Sequence, residues 1–366
     1  MGFSIPSSVE DYLTLGQAAF FLVQDHPSVV VTFVLAVIVA VALSLYTLLL
    51  LAAHFPRQET DSERTYLTIT PSGDISDPQP LPNTADYLSN STIIPSPSDP
   101  PVYVSVIVPA YNESLRLPLM LAEAVDFLTE NYSTLGWEIL LVDDGSKDNT
   151  SQSALTWVQS YLTAHSTTPL PSSSIRVITL TKNRGKGGAV THGMRHARGA
   201  YTIFADADGA TRFSDLSALL TSLQSLQSSP PKSPSAIAVG SRAHMVHTAA
   251  VVQRSFIRNL LMYTFHFYLG VMGISSIKDT QCGFKLFSRE AAVTIFRGMY
   301  TERWIFDVEI LLRAERAGIK VTEVPVNWHE VEGTKLELVR DSVVMALDLL
   351  ILRAGYATGL YQFAVI

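Results

Sequence analysis

Apolar and polar residues alternate along this chain in three regimes. From Ser28 to Ala53 the chain is an uncharged run of Val, Leu, Ile and Ala. At about 1.5 Å rise per residue it is long enough to cross a hydrocarbon core of about 30 Å with some tilt. From Phe55 to Pro101 the pattern dissolves into Pro, Ser, Thr and Asp without periodicity, which predicts a largely disordered linker carrying no chemistry. From Val102 onward short buried runs alternate with amphipathic stretches. The runs 102–109, 137–142, 175–180, 201–205 and 236–240 read as strands, and 114–131, 148–165, 187–198 and 214–227 as helices. Strands alternating with helices predict an α/β domain with a mostly parallel sheet covered on both faces.

The expected organisation is a short lumenal segment (1–27), a transmembrane anchor (28–53), a linker (54–101), a catalytic domain (102–335) and a C-terminal amphipathic helical segment able to lie against the bilayer (336–366). The anchor is read as permanent. A signal peptide has a basic n-region, whereas Glu10, Asp11 and Asp25 precede this run with no Lys or Arg. Arg57 and Arg64 follow it, which predicts a single-pass protein with its large part in the cytosol. The net charge of −7 implies no general nucleic-acid affinity, and the one cysteine, Cys282, excludes an internal disulfide. The run 255–277 is apolar but interrupted by Arg258, Asn259, His266, Gly270 and Gly273; it reads equally as a core helix or as a helix at the membrane surface.

Polar groups cluster where the strands end: Tyr111 and Glu113, Asp143 and Asp144, Asp206 and Asp208, Ser241 and Arg242. Ligands of open α/β sheets bind outside the carboxyl ends of the strands. Asp206 and Asp208 are two residues apart at a strand end, so they point to the same side. Two such carboxylates repel unless a cation lies between them, and Mg²⁺ or Mn²⁺ takes oxygen ligands of this kind. An Asp-rich solvated turn is the alternative reading. Lys182-Asn-Arg-Gly-Lys-Gly-Gly188 precedes a helix and suits an anion, or else is a basic solvated turn; it fits neither the Walker A nor the dinucleotide pattern.

Val-Pro-Ala-Tyr-Asn-Glu (108–113), Val-Asp-Asp-Gly-Ser (142–146) and Asp-Ala-Asp-Gly (206–209) resemble the family 2 inverting glycosyltransferases of the GT-A fold. Asn-Arg-Gly-Lys-Gly-Gly-Ala, Gly-Ser-Arg, Asp-Thr-Gln-Cys-Gly-Phe-Lys and Val-Asn-Trp-His-Glu-Val-Glu-Gly-Thr-Lys-Leu are similar to the dolichyl-phosphate β-glucosyltransferases within it. The last motif departs at Glu332, where that group is expected to carry proline. The resemblance implies transfer of glucose from UDP-glucose to dolichyl phosphate with inversion, at the cytosolic face of the endoplasmic reticulum membrane. It implies that Pro109, Ala110, Tyr111, Glu113 and Asp143 hold the uridine, and that Asp206 and Asp208 carry a divalent metal, Mg²⁺ or Mn²⁺, on the diphosphate. It implies that Arg242, Arg254 and Lys335 bind phosphates, that Lys186 touches the donor, and that Asp279, Gln281 and Asp307 line the sugar or acceptor side. Trp304 and Trp328 are expected to be buried, with stacking on a sugar as the alternative. A GDP-mannose-dependent mannosyltransferase and a tethered nucleotide-sugar binding protein without turnover are the rival readings.

Overall fold

The structure is a computed structural model that describes residues 26–85, 102–165, 174–245, 270, 277–331 and 338–363. Arg254, Lys335 and nearly all of the 255–277 run lie outside the described residues.

Residues Met1–Ala53 and His54–Ile366 form two separate units. Within the first, helix α1 (Pro27–Ala52) has no buried residue. Its apolar side chains point outward all round, as in a helix made for a non-aqueous solvent. By length and composition it could cross a membrane.

The second unit is built on a seven-stranded sheet: β3 (Val104–Ala110), β4 (Trp137–Asp143), β5 (Ile175–Thr179), β6 (Tyr201–Ala205), β7 (Ala236–Ser241), β8 (Phe284–Ser288) and β9 (Lys320–Pro325). Their spatial order is β5-β4-β3-β6-β8-β7-β9. All pairings are parallel except those of β8, which runs antiparallel to both β6 and β7. Continuous apolar runs suit strands covered on both faces, and β4 is buried along its whole length. The covering helices are α2 (Leu117–Tyr132), α3 (Thr150–Ala164), α4 (Lys186–His196), α5 (Leu216–Ser228), α6 (Arg289–Phe296) and α7 (Phe306–Arg316). The sequence pattern identifies five of the seven strands and misses β8 and β9.

The expectation of a structureless linker over 54–101 does not hold for residues 54–85, which belong to the second unit. Strands β1 (Thr65–Tyr66) and β2 (Gln79–Pro80) pair with each other. Leu67 bridges Val177 at the edge of β5. Glu63 is fully buried and accepts from the Thr181 N–H and hydroxyl, both at 2.8 Å. The Thr84 hydroxyl donates to the carbonyls of Met194 and Ala197. Polar side chains in this segment replace water with partners on the domain, so its composition misstates its order.

The C-terminal helix α8 (Leu338–Thr358) is two-sided. Leu349 and Leu352 are buried, and the Tyr356 hydroxyl donates to Glu309 Oε1 at 2.9 Å. Val343, Leu347 and Leu350 are more than half exposed.

Candidate active site

The register of the sheet brings the strand ends together. Ala110 at the end of β3 lies opposite Asp143 at the end of β4. One strand over, β6 ends at Ala205 and delivers Asp206. Because β8 runs the other way, its first residue, Phe284, pairs with Ala205, so Cys282 and Gly283 enter at the same rim.

Asp143 is buried, with Oδ1 accepting from the Ser146 N–H (2.8 Å) and Oδ2 from the Ser151 hydroxyl (2.5 Å). Its neighbour Asp144 turns the other way. It accepts from the N–H groups of Arg184 (2.7 Å) and Gly185 (2.8 Å), and burial pushes its carboxyl up to about 7. Asp144 therefore pins the Lys182–Gly188 loop to the end of β4. Glu113 is buried and grips Arg116 through both oxygens, at 2.7 and 2.6 Å. Tyr111 is half-buried on the loop between them.

The basic loop is not a solvated turn. Lys186 opens α4 and its Nζ lies 2.6 Å from Asp206 Oδ1. Burial alone would lower the pKa of Lys186; the charges of Asp206 and Asp307 outweigh it and hold the pKa above its ordinary value. Asp208 follows across the turn, its Oδ1 accepting from the Ala210 N–H at 3.0 Å. Burial and then the charge of Asp206 push its carboxyl up. The turn is fastened from outside by a bridge between Thr211 and Trp328 and by the His329 N–H donating to the Ala210 carbonyl.

Arg242 follows the end of β7 and is clamped by Asp279: Nε to Oδ2 at 2.7 Å, Nη2 to Oδ1 at 2.9 Å, and the backbone N–H to Oδ2 at 2.9 Å. Its guanidinium stands 5.6 Å over the Trp328 ring. Asp279 thus fixes Arg242 on the rim. Trp304 and Trp328 are half-buried, not buried as expected. Asp307 is buried on α7 and meets the buried Lys285 ammonium at 2.5 Å. Gln281 is exposed, and its amide faces the Met345 sulfur at 3.9 Å.

The structure brings together Asp143, Lys186, Asp206, Asp208, Arg242 and Asp279 on one rim. It adds Arg116, which no sequence motif contains, and gives roles to Arg184, Lys285 and Gly283, which the quoted motifs contain without assigning them one. Arg184 binds Glu302 through Nε at 2.8 Å. A Cβ on Gly283 would sit 2.0 Å from Asp206 Oδ2. Only the position of β8 beside β6 reveals that constraint, although Gly283 lies in the quoted Asp-Thr-Gln-Cys-Gly-Phe-Lys motif.

A mostly parallel sheet flanked by helices, with an Asp-x-Asp turn beside the strand ends, is the GT-A architecture of nucleotide-sugar-dependent glycosyltransferases. Residues 105–296 match the model of "Glycosyl transferase family 2". The dolichyl-phosphate β-glucosyltransferase of Saccharomyces cerevisiae is 44% identical over 350 residues, covering 94% of this chain and 98% of that protein. The human dolichyl-phosphate β-glucosyltransferase is 45% identical over 273 residues, covering 74% of this chain and 81% of that protein. A solved glucosyl-3-phosphoglycerate synthase from Mycobacterium tuberculosis, in complex with Mn²⁺, UDP-glucose and phosphoglyceric acid, aligns at 16% identity with a TM-score of 0.47, covering 69% of this chain and 80% of that one. The chain belongs to the dolichyl-phosphate β-glucosyltransferases of glycosyl transferase family 2.

Proposed function

We propose that this enzyme transfers glucose from UDP-glucose to dolichyl phosphate with inversion, giving dolichyl β-D-glucosyl phosphate and UDP, a glucose donor for N-glycan precursor assembly. The observation that carries the reading is the convergence of the Asp206/Asp208 pair, Lys186 and Asp143 on one rim in a member of this family. The relatives' names supply glucose and dolichyl phosphate. The proposed location is the endoplasmic reticulum membrane, with α1 as a single anchor and the catalytic unit in the cytosol.

Pro109, Ala110, Tyr111, Glu113 and Asp143 form the uridine side. Asp143 is held still by Ser146 and Ser151, so it meets the base without a reorganisation cost. The paired carboxylates suit a hard divalent cation such as Mg²⁺ or Mn²⁺, since burial and the charge of Asp206 raise the cost of ionising Asp208 and both residues present oxygen ligands. Asp206 and Asp208 would hold it, and when bound it neutralises charge on the departing diphosphate.

Lys186 adds a fixed positive charge where the donor phosphates arrive. The acceptor needs no dedicated base. A phosphate monoester has a second pKa near ~6, so it reaches the site already able to attack. It requires placement and charge screening, which suits the guanidinium of Arg242 locked by Asp279. Arg254 and Lys335 are proposed as further phosphate ligands, and Asp279, Gln281 and Asp307 as the sugar or acceptor side. Asp279 and Asp307 act there through the cations they hold, Arg242 and Lys285.

The test is a transfer assay with and without metal. EDTA abolishes turnover and Mg²⁺ or Mn²⁺ restores it. Asp208→Asn keeps the shape and loses at least about 10²-fold in turnover. Full activity in EDTA contradicts the metal role.

A further inference from the structure

A second cluster of metal-ligand side chains lies on the far end of α4, away from the sheet rim. His192 and His196 are one helical turn apart, so both face the same way. Opposite them stands Glu59, from the segment that follows the anchor. Both histidines are more than nine-tenths buried.

Each imidazole uses one nitrogen on a backbone carbonyl. His192 Nε2 lies 2.9 Å from the Glu63 oxygen, and His196 Nδ1 lies 2.6 Å from the Pro82 oxygen. A carbonyl only accepts, so these nitrogens carry the protons. The lone pairs are then on His192 Nδ1 and His196 Nε2. Both of these atoms are buried and without a hydrogen-bond partner. Both face Glu59: Nδ1 is 3.4 Å from Oε1 and Nε2 is 3.7 Å from Oε2. In a tetrahedral site with bonds near 2.0–2.1 Å, ligand atoms are about 3.3 Å apart. The three ligand atoms here all lie within 4.8 Å of one another. Arg195 and Arg64 approach the same carboxylate, but at 3.6 and 3.7 Å, beyond hydrogen-bond distance.

We propose that Glu59, His192 and His196 bind one divalent cation of the zinc class, at a site separate from the Asp206/Asp208 pair. Two neutral imidazoles and a carboxylate are a zinc donor set, and they leave a fourth position for water. Backbone carbonyls already orient both rings, as the outer partners of a metal site do. The ion would clamp the post-anchor segment to α4, the helix that opens with Lys186. Its role is to hold that segment in place, not to take part in transfer.

The test uses the full chain in detergent, without a polyhistidine tag, loaded with Zn²⁺ and desalted. Elemental analysis is expected to find one zinc per chain in the wild type and in Asp208→Asn. His196→Gln and Glu59→Gln are expected to lose it. Zn²⁺ is expected to raise the melting temperature of the wild type but not of either variant. Co²⁺ in the wild type reports the site even if a variant fails to fold. A tetrahedral, imidazole-ligated spectrum supports the site, and an octahedral oxygen-only spectrum overturns it. Absence of stoichiometric zinc from the wild type overturns it too, as does a full equivalent retained in His196→Gln.

Discussion

Lys186 Nζ lies 2.6 Å from Oδ1 of Asp206, joining the first residue of α4 to the first carboxylate of the Asp-x-Asp turn. The pair links two sequence features twenty residues apart, one read as an anion-binding loop or basic turn and the other as a metal-binding pair or Asp-rich turn. The cation sits where donor phosphates and a metal would meet. Lys186→Met is therefore expected to cut turnover by about 10²-fold or more, as loss of a transition-state charge stabiliser does. Steady-state kinetics check this, with unchanged circular dichroism as the control.

Gly283 explains why a small residue must stand at the entry to β8. Any Cβ there would fall 2.0 Å from Asp206 Oδ2. Gly283→Ala is expected to displace that carboxylate, and a displacement of about 1 Å at a reacting centre can cost about 10²-fold. The loss should appear as weaker Mn²⁺ activation with little change in melting temperature. Wild-type metal dependence in Gly283→Ala would contradict the arrangement.

Asp307 and Gln281 separate a buried partner from an exposed one. Asp307→Ala leaves the Lys285 ammonium buried and uncompensated, and breaking such a pair costs about 3–5 kcal/mol. Gln281→Ala removes an exposed amide and is expected to stay within about 0.5 kcal/mol. Chemical denaturation of both variants measures the contrast.

Glu63 predicts an acid limit for the packing of the segment that follows α1. Burial raises its pKa, but hydrogen bonds from Thr60, Thr181 and Arg57 outweigh that and bring it from 4.5 down to about 2. A depressed carboxylate stabilises the fold above its unfolded pKa, and that stability is lost as pH falls through the folded value. The stability gap between wild type and Glu63→Gln should be full above about pH 5 and close between about pH 4.5 and 2. A gap independent of pH would contradict the assignment.

The topology has its own readout. Asn90, Asn112, Asn131 and Asn149 each begin an Asn-x-Ser/Thr sequon. In a cytosolic domain none is glycosylated, so endoglycosidase treatment of the native protein should leave its mass unchanged.

The strands carrying the rim are legible in sequence because each is an apolar run stopped by Asp, Gly or Pro. β9 is not, because Lys320, Thr322 and Glu323 interrupt it and most of it is only half-buried. β8 is hidden by Lys285, a charge that reads as surface but is fully buried against Asp307. The order of residues 54–85 is equally hidden. Glu63 is buried by partners 118 residues away, a relation that no local composition records. Arg242 was legible as a strand-end cation; its clamp by Asp279, 37 residues on, was not.

The most direct measurement of the central claim is donor choice in a single-turnover assay. Purified full-length enzyme, Mg²⁺ or Mn²⁺ and dolichyl phosphate are mixed with labelled UDP-glucose or labelled GDP-mannose. A site built to hydrogen-bond one base leaves buried polar groups unpaired against another. Label should pass from UDP-glucose into the lipid phase as a β-linked glucosyl phosphate, and GDP-mannose should give no comparable product. Equal catalytic efficiency with GDP-mannose, or no lipid-linked glucose from UDP-glucose, would contradict the account.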